Sequence, residues 1–234
     1  MAEEKSEKKK KTAREIIENY DGPKVRIMEV CGTHTHEIFR LGIRKLLPEQ
    51  VELISGPGCP VCVTPVSFID EAIYLALEKG VTICTFGDLV RVPGTRMSLA
   101  GAREQGAEIH VVYSPADAEE YAREHPDRQV TFLSVGFETT TPAGCLSVKA
   151  AKTDGLENYS ILTANKTMPQ AYEVLKGSAD VFLYPGHVNA ITGTRLCEAL
   201  TEEGVSGVVA GFTAKELMTA LAVALVKFQE GKPF

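Results

Sequence analysis

The chain has 234 residues, 44% of them hydrophobic, and its 31 acidic and 25 basic residues leave a net charge of −6. That length carries one large or two small domains with cores of their own, and the acidic balance excludes the basic face of a nucleic-acid-binding protein. No apolar run approaches the roughly 20 residues needed to span a bilayer. The start, MAEEKSEKKKKTARE, is charged with no apolar segment behind it, so it does not read as a signal peptide. The expected compartment is therefore the cytoplasm, where structural disulfides are rare. The six cysteines (Cys31, Cys59, Cys62, Cys84, Cys145 and Cys197) accordingly read as metal, redox or core residues.

Residues 1–12 read as a charged tail, a frayed and solvated approach to a helix. A strand at Lys24–Val30 is followed by a helical stretch, His36–Leu47, with Ile38, Phe39, Ile43 and Leu46 at helical spacing. Next come a strand at Val51–Ser55 and a helix at Ser67–Glu78. There Phe68, Ala72, Ile73, Leu75 and Leu77 form the stripe, Ser67 is the expected cap, and Asp70 and Glu71 lie in the first turn. Strands at Val81–Phe86 and Glu108–Tyr113 precede a helix at Ala116–Glu124. The strand Gln129–Val135 leads to a helix at Gly144–Lys152, and Tyr159–Ala164 leads to Gln170–Lys176. Asp180–Tyr184 leads to Gly193–Thr201, and Val205–Ala210 to Ala214–Gln229. Most of the strands are continuous apolar runs, as expected for parallel strands covered on both faces. The alternation predicts an α/β fold with parallel sheets. Eight such units suit either a (β/α)8 barrel or two consecutive four-strand open sheets with Tyr113-Ser114-Pro115 as the crossover; periodicity does not choose between them.

The chemistry concentrates in turns that follow strands, where parallel α/β sheets bind ligands. The first is Cys31-Gly32-Thr33-His34-Thr35-His36-Glu37. A cysteine just ahead of a helix gains thiolate character, the form that binds soft metals and attacks electrophiles. Gly32 suits a tight turn or a close approach. An extended segment would put His34 and His36 on one side, whereas a helix start would turn one inward and the other to solvent. The second is GPGCPVCVTP at 56–65, whose C-x-x-C pair, Cys59 and Cys62, suits a redox dithiol or two metal ligands. With no second C-x-x-C and no downstream H-x₃₋₅-H, a closed zinc site is disfavoured. Its prolines stiffen the loop, and Gly56 and Gly58 permit positive φ. The third is GFETTTPA at 136–143, where Glu138, Thr139, Thr140 and the amides of a helix start suit a small anion or a facing loop. A fourth, PGHVN at 185–189, carries His187. Cys84, Cys145 and Cys197 lie among apolar residues and read as core. No phosphate loop, dinucleotide fingerprint or nucleophile elbow is present, so ATP, NAD and ester hydrolysis have no support.

CGTHTH at 31–36, GPGCPVCVTP at 56–65, GFETTTPA at 136–143 and PGHV at 185–188 resemble, in order and spacing, the four motifs of the HypD family. DLVRVPG at 88–94 resembles it too, and the likeness covers nearly the whole chain. The resemblance implies two similar α/β domains with open, mostly parallel sheets and conserved loops facing a cleft, which favours open sheets over a barrel. The expected domains are 13–113, with the CGTHTH and CPVC loops, and 114–212, with GFETTTPA and PGHV; 213–234 is a C-terminal helix returning to the core. The resemblance further implies a maturation factor that works with a HypC-type small chaperone and a HypE-type cyanide donor to build the Fe(CN)2CO group of [NiFe] hydrogenases. On that reading Cys31 is the iron ligand, with a partner cysteine as the second. His36 is the motif's histidine, which orients or protonates a ligand, and Cys59 with Cys62 is the redox pair. Thr33, His34, Glu138, Thr139, Thr140 and His187 are the expected ligand contacts. No nucleic acid or membrane is implicated.

The family usually adds a third domain whose cysteines ligate a [4Fe–4S] cluster. This sequence has no cysteine beyond Cys197, so those ligands are absent from it, as expected of a truncated or short form. Two rival readings are a cytosolic thiol–disulfide oxidoreductase using Cys59 and Cys62 without iron, and a docking scaffold for partner proteins.

Overall fold

A computed structural model describes residues 11–234; the charged tail expected over 1–12 lies, as far as residue 10, outside the described residues. Thr12 is the cap of α1 (Ala13–Glu18). Its hydroxyl accepts the Glu15 amide while the Glu15 carboxylate accepts the Thr12 amide, satisfying two donors reciprocally.

In chain order the other elements are β1 (Val25–Glu29), α2 (Gly32–Arg40), β2 (Val51–Ser55), α3 (Val66–Glu78), β3 (Thr82–Thr85), α4 (Leu99–Glu104), β4 (Ile109–Val111), α5 (Pro115–Glu124), β5 (Val130–Ser134), α6 (Thr141–Thr153), β6 (Tyr159–Thr163), α7 (Met168–Leu175), β7 (Val181–Pro185), α8 (Gly186–Thr192), α9 (Arg195–Glu202), β8 (Ser206–Ala210) and α10 (Ala214–Gln229). All strand pairings are parallel. One sheet has the order β2-β1-β7-β8 and the other β4-β3-β5-β6. The architecture is α/β with two four-strand parallel sheets. None of the helices among the described residues is long and apolar enough to cross a membrane.

The strands are not dealt out in two consecutive sets, as a division between Tyr113 and Ser114 would require. One compact unit comprises the chain up to Gly58 together with Tyr172–Phe234; the other is Cys59–Ala171. β1 takes β7 as its second neighbour instead of a nearby strand, with Ile27 opposite Val181 and Glu29 opposite Leu183. The second unit is thus an insertion between β2 and β7. The apolar runs are equally good strands in either arrangement, so their composition does not name their neighbours.

The first unit's core joins Ile27, Ile38, Leu183 and Val181 to Leu217, Leu221 and Leu225 of α10. The second unit has a core on each face of its sheet. Ile83 and Leu133 face a cluster with Ile69 and Leu99, while their neighbours Cys84 and Phe132 face Ala118 and Ala122, the alternation a pleated strand imposes. Cys84 is the core residue it was expected to be, and burial pushes its thiol up to about 12. Cys145 is exposed instead, because the inward stripe of α6 is Gly144, Ser147 and Ala151. Cys197 is half-buried and accepts a hydrogen bond from Asn189 Nδ2 at 3.1 Å.

Leu221 has no exposed surface and packs in the first unit's core. Leu221→Ala should cost about 2–5 kcal/mol, the range for truncating a buried leucine. Urea unfolding of parent and variant checks this.

Candidate functional site

In the first unit the chain leaves β1 at Glu29, and two residues later Cys31 becomes the N-terminal cap of α2. Its backbone is extended, with φ −153° and ψ 125°, and its side chain makes no capping bond. The helix starts at Gly32, four residues earlier than the apolar stripe suggests. What permits the early start is a carbonyl from elsewhere: Gly58 O accepts the Gly32 amide at 3.3 Å, giving an orphan helix donor its partner. Gly56 and Gly58 are not at positive φ, contrary to expectation. Gly58 is needed for closeness: a Cβ there would lie 2.2 Å from Gly32 N and 2.6 Å from Cys31 Cα. Cys31 is buried under this strap, 6% exposed.

Because 32–36 is helical, its two histidines part company, at 100° per residue. His34 turns inward and has no exposed surface. Its Nε2 lies 3.2 Å from Ala210 O and 3.1 Å from Gly211 O; two acceptors require the proton to be on Nε2. Its Nδ1 is buried with no hydrogen-bond partner. Burial holds the imidazole below its ordinary value, opposed by the two carbonyls and assisted by repulsion from His187. The rings of His34 and His187 both pack on Phe212, at 4.8 Å and 5.1 Å. His36 points the other way, with its side chain 71% exposed and Nε2 4.0 Å from Glu37. Thr33 is exposed. Phe39, expected in the core stripe, is 82% exposed, because Ile38 takes the inward position. The PGHV turn is also a helix start, with His187 in the first turn of α8.

Glu29 and the half-exposed Arg44 add an ion pair that the sequence reading missed. Glu29 has no exposed surface. Its Oε1 accepts from Arg44 Nη2 at 2.8 Å and Ser55 Oγ at 2.9 Å, and Arg44 Nη1 donates to Leu53 O at 2.6 Å. Glu29 Oε2 is buried without a partner. Burial raises this carboxyl, and its own backbone amide, Ser55 and Arg44 oppose the rise. The signal available in the sequence was an acidic residue inside the apolar run VRIMEV.

In the second unit, Cys59-Pro60-Val61-Cys62 forms a turn in which the Cys62 amide donates to Cys59 O at 3.1 Å and approaches Cys59 Sγ at 3.3 Å. Cys59 is half-buried, Cys62 is exposed, and both are free thiols. Its hydrogen bond to Cys59 raises the Cys62 thiol above its ordinary value, and desolvation and the Cys59 charge act the same way. The pair therefore resists losing both protons, so the first thiolate formed retains a protonated neighbour.

The GFETTTPA turn is fastened to the exit of β6. Glu138 Oε1 accepts the Met168 amide at 2.7 Å, and Lys166 N donates to Gly136 O at 2.9 Å. Asn165, not anticipated, joins Ser134 Oγ, Thr163 Oγ1 and Thr141 Oγ1. Its position directly after a strand was the available signal. Thr139 and Thr140 are exposed, and Thr140 Oγ1 donates to Phe137 O.

In the first unit the structure thus brings His34 and His187 together on Phe212, and sets Cys31 two residues beyond Glu29 at the exit of β1. In the second it joins Cys59 to Cys62, and the Glu138 turn to Asn165. Among the described residues no group of three or more His, Cys, Asp or Glu could hold a metal ion by itself. Cys84 is buried in a strand, Cys145 is exposed on α6 and Cys197 is half-buried on α9, so these three thiols stand on three different elements.

A parallel α/β scaffold with a buried cap cysteine, a free dithiol and no nucleotide loop defines a thiol-bearing α/β protein. The profile described as "HypD: Hydrogenase formation hypA family" matches residues 7–234. The hydrogenase maturation factor HypD of Rhodobacter capsulatus is 43% identical over 213 residues, which cover 89% of this chain and 56% of that protein. HypD of Escherichia coli K12 is 42% identical over 204 residues, 85% of this chain and 55% of the relative. A putative hydrogenase expression/formation protein of Methanocaldococcus jannaschii is 38% identical over 213 residues, 89% and 59% respectively. The chain belongs to the HypD family and spans somewhat over half the length of these curated relatives.

Two outcomes follow from the site's protonation states. Cys59→Ala should lower the Cys62 titration midpoint and speed Cys62 alkylation severalfold near pH 8, measured by mass spectrometry across a pH series. On unfolding, His34 regains the ordinary value of 6.5, so below that pH the unfolded chain binds a proton that the folded chain refuses. Stability attributable to His34 is therefore full above 6.5 and declines as pH falls from there toward the folded value. His34→Gln, which keeps an N–H donor, should flatten the fall in urea midpoint between about pH 7 and pH 5 relative to the parent.

Proposed function

We propose that this chain acts as a hydrogenase maturation factor, with the Fe(CN)2CO fragment as its cargo and Cys31 thiolate as its ligand to the iron. The carrying observation is the place of Cys31: a sulfur at a helix cap, in a chain matched to the HypD family over residues 7–234. A low-spin iron carrying cyanide and CO is soft enough to suit sulfur. One thiolate does not complete the iron's shell, so a HypC-type partner supplies a second and the diatomic ligands fill other positions. A HypE-type partner brings the cyanide.

Cys59 and Cys62 serve as the two-electron source. Joining their sulfurs in one S–S bond supplies two electrons and two protons to the carrier–cyanide bond of the HypE-type donor, which breaks with one proton going to the carrier and one to the released cyanide. His36, on the open face of α2, is the imidazole able to exchange a proton with a bound ligand. His34 was expected to touch the cargo. Its complete burial supports a different role, anchoring α2 to the Ala210–Gly211 carbonyls. His187, half-buried, and Thr33, Glu138, Thr139 and Thr140 remain the proposed contacts to cargo or partner. The setting proposed for this work is the cytoplasm.

Anaerobic co-purification with the small thiol-bearing partner, read by infrared spectroscopy and iron analysis, tests this. The parent complex should show cyanide and CO bands that Cys31→Ala lacks. Survival of the bands in that variant would falsify the ligand assignment, and a parent with no bands and no iron would leave only the dithiol chemistry.

A further inference from the structure

β1 is an interior strand, between β2 and β7, and Val25, Ile27, Met28 and Val30 in and beside it are buried apolar groups. Glu29 interrupts them with an acidic side chain that has no exposed surface, where a parallel interior strand normally carries an aliphatic residue. A buried carboxylate, even one paired with a half-exposed arginine, is seldom the most stable filling for such a place. Local departures of this kind concentrate where function imposes them.

The use of Glu29 is visible in what it holds. Its carboxylate takes Ser55 Oγ and Arg44, and its carbonyl accepts the Gly56 amide at 2.8 Å. From that double attachment the strap passes through Pro57, whose ring fixes φ. At Gly58 it accepts the Gly32 amide and lies against the backbone of Cys31. Arg44 follows the C-terminal end of α2 and is tied to the same carboxylate. The cap of the cysteine-bearing helix and the turn beyond its far end are therefore both referred to one residue, whose carboxylate holds Ser55 and Arg44 while its carbonyl holds Gly56.

We infer that Glu29 is a positioning residue for Cys31, fixing through Ser55, Gly56 and Gly58 where the sulfur stands. This rests on the reading of Cys31 as the thiolate that takes the iron fragment, yet it constrains the sulfur whether or not iron is bound. The test compares Glu29→Leu, Glu29→Gln and Ser55→Ala with the parent. Iodoacetamide alkylation of Cys31 is followed by mass spectrometry with Cys62 as the internal reference, and iron retention is measured in the partner complex. Glu29→Leu should alkylate Cys31 about tenfold faster and Ser55→Ala about threefold faster, because the strap opens locally. Glu29→Gln keeps an acceptor oxygen for Ser55 and should stay within about twofold of the parent. Cys62 should not change in any of them. Iron retention should fall in the same order, by about tenfold in Glu29→Leu.

An unchanged Cys31 rate in Glu29→Leu, or equal acceleration at Cys62, overturns the inference. If Glu29→Leu does not fold, Ser55→Ala decides it, and a parent-like Cys31 rate there overturns it as well. Should the Cys31 rates follow the expected order while neither parent nor variants hold iron, the positioning role stands and the iron reading fails.

Discussion

A carbon atom added to residue 58 would sit 2.5 Å from the carbonyl carbon of Cys31 and closer still to the next amide nitrogen. That contact between two backbones, possible only for glycine, governs the rest of the first unit's strand-end chemistry. It gives α2 an acceptor for its first amide, so the helix begins immediately after the cysteine. The early start then sets the rotation of the residues behind it, burying His34 and presenting His36. A later start, with 31–36 extended, would have placed both imidazoles on one side.

Two polar groups hold this arrangement from within an otherwise apolar core. The imidazole of His34 ties the first turn of α2 to the end of β8, and the carboxylate of Glu29 ties the exits of β1 and β2 to Arg44. Each is costly to bury, and each leaves one polar atom unsatisfied: Nδ1 in one case, Oε2 in the other. Aliphatic residues would fill the same space with less desolvation, but they would not direct particular carbonyls and amides to particular places. The second unit follows a similar rule at its own strand ends, where Asn165 gathers three hydroxyls and Glu138 takes a backbone amide.

Much of this was readable from the residues. All eight strands fall within the apolar runs to a residue or two, because strands covered on both faces leave an unbroken signal. α10 occupies Ala214–Gln229, the range expected of it. What failed did so for identifiable reasons. α4 and α8 are six and seven residues long, too short to show a period. The cap of α3 is Pro65, not Ser67: the helix already begins at Val66 without a side-chain cap, so Ser67 lies inside its first turn. Sheet order was illegible because an apolar run carries no label for its neighbour. Of the site, the cysteines and histidines were legible by type, whereas their orientation depended on Gly58, a residue distant in sequence. Glu29 and Asn165 were missed because single polar residues at strand ends are common and only their partners distinguish them.

The nested order of the strands bears on how the protein comes into being. The second unit is one uninterrupted stretch, Cys59–Ala171, and its pairings can form as that stretch emerges from the ribosome. The first unit must wait: Arg26 binds Asp180 across 154 positions, and β1 lacks an inner neighbour until β7 has been made. Throughout that interval the thiol at position 31 stands without the Leu183 carbonyl that later receives the Val30 amide. The surroundings of that sulfur are therefore completed last, when the final quarter of the chain joins the sheet that the first strand began.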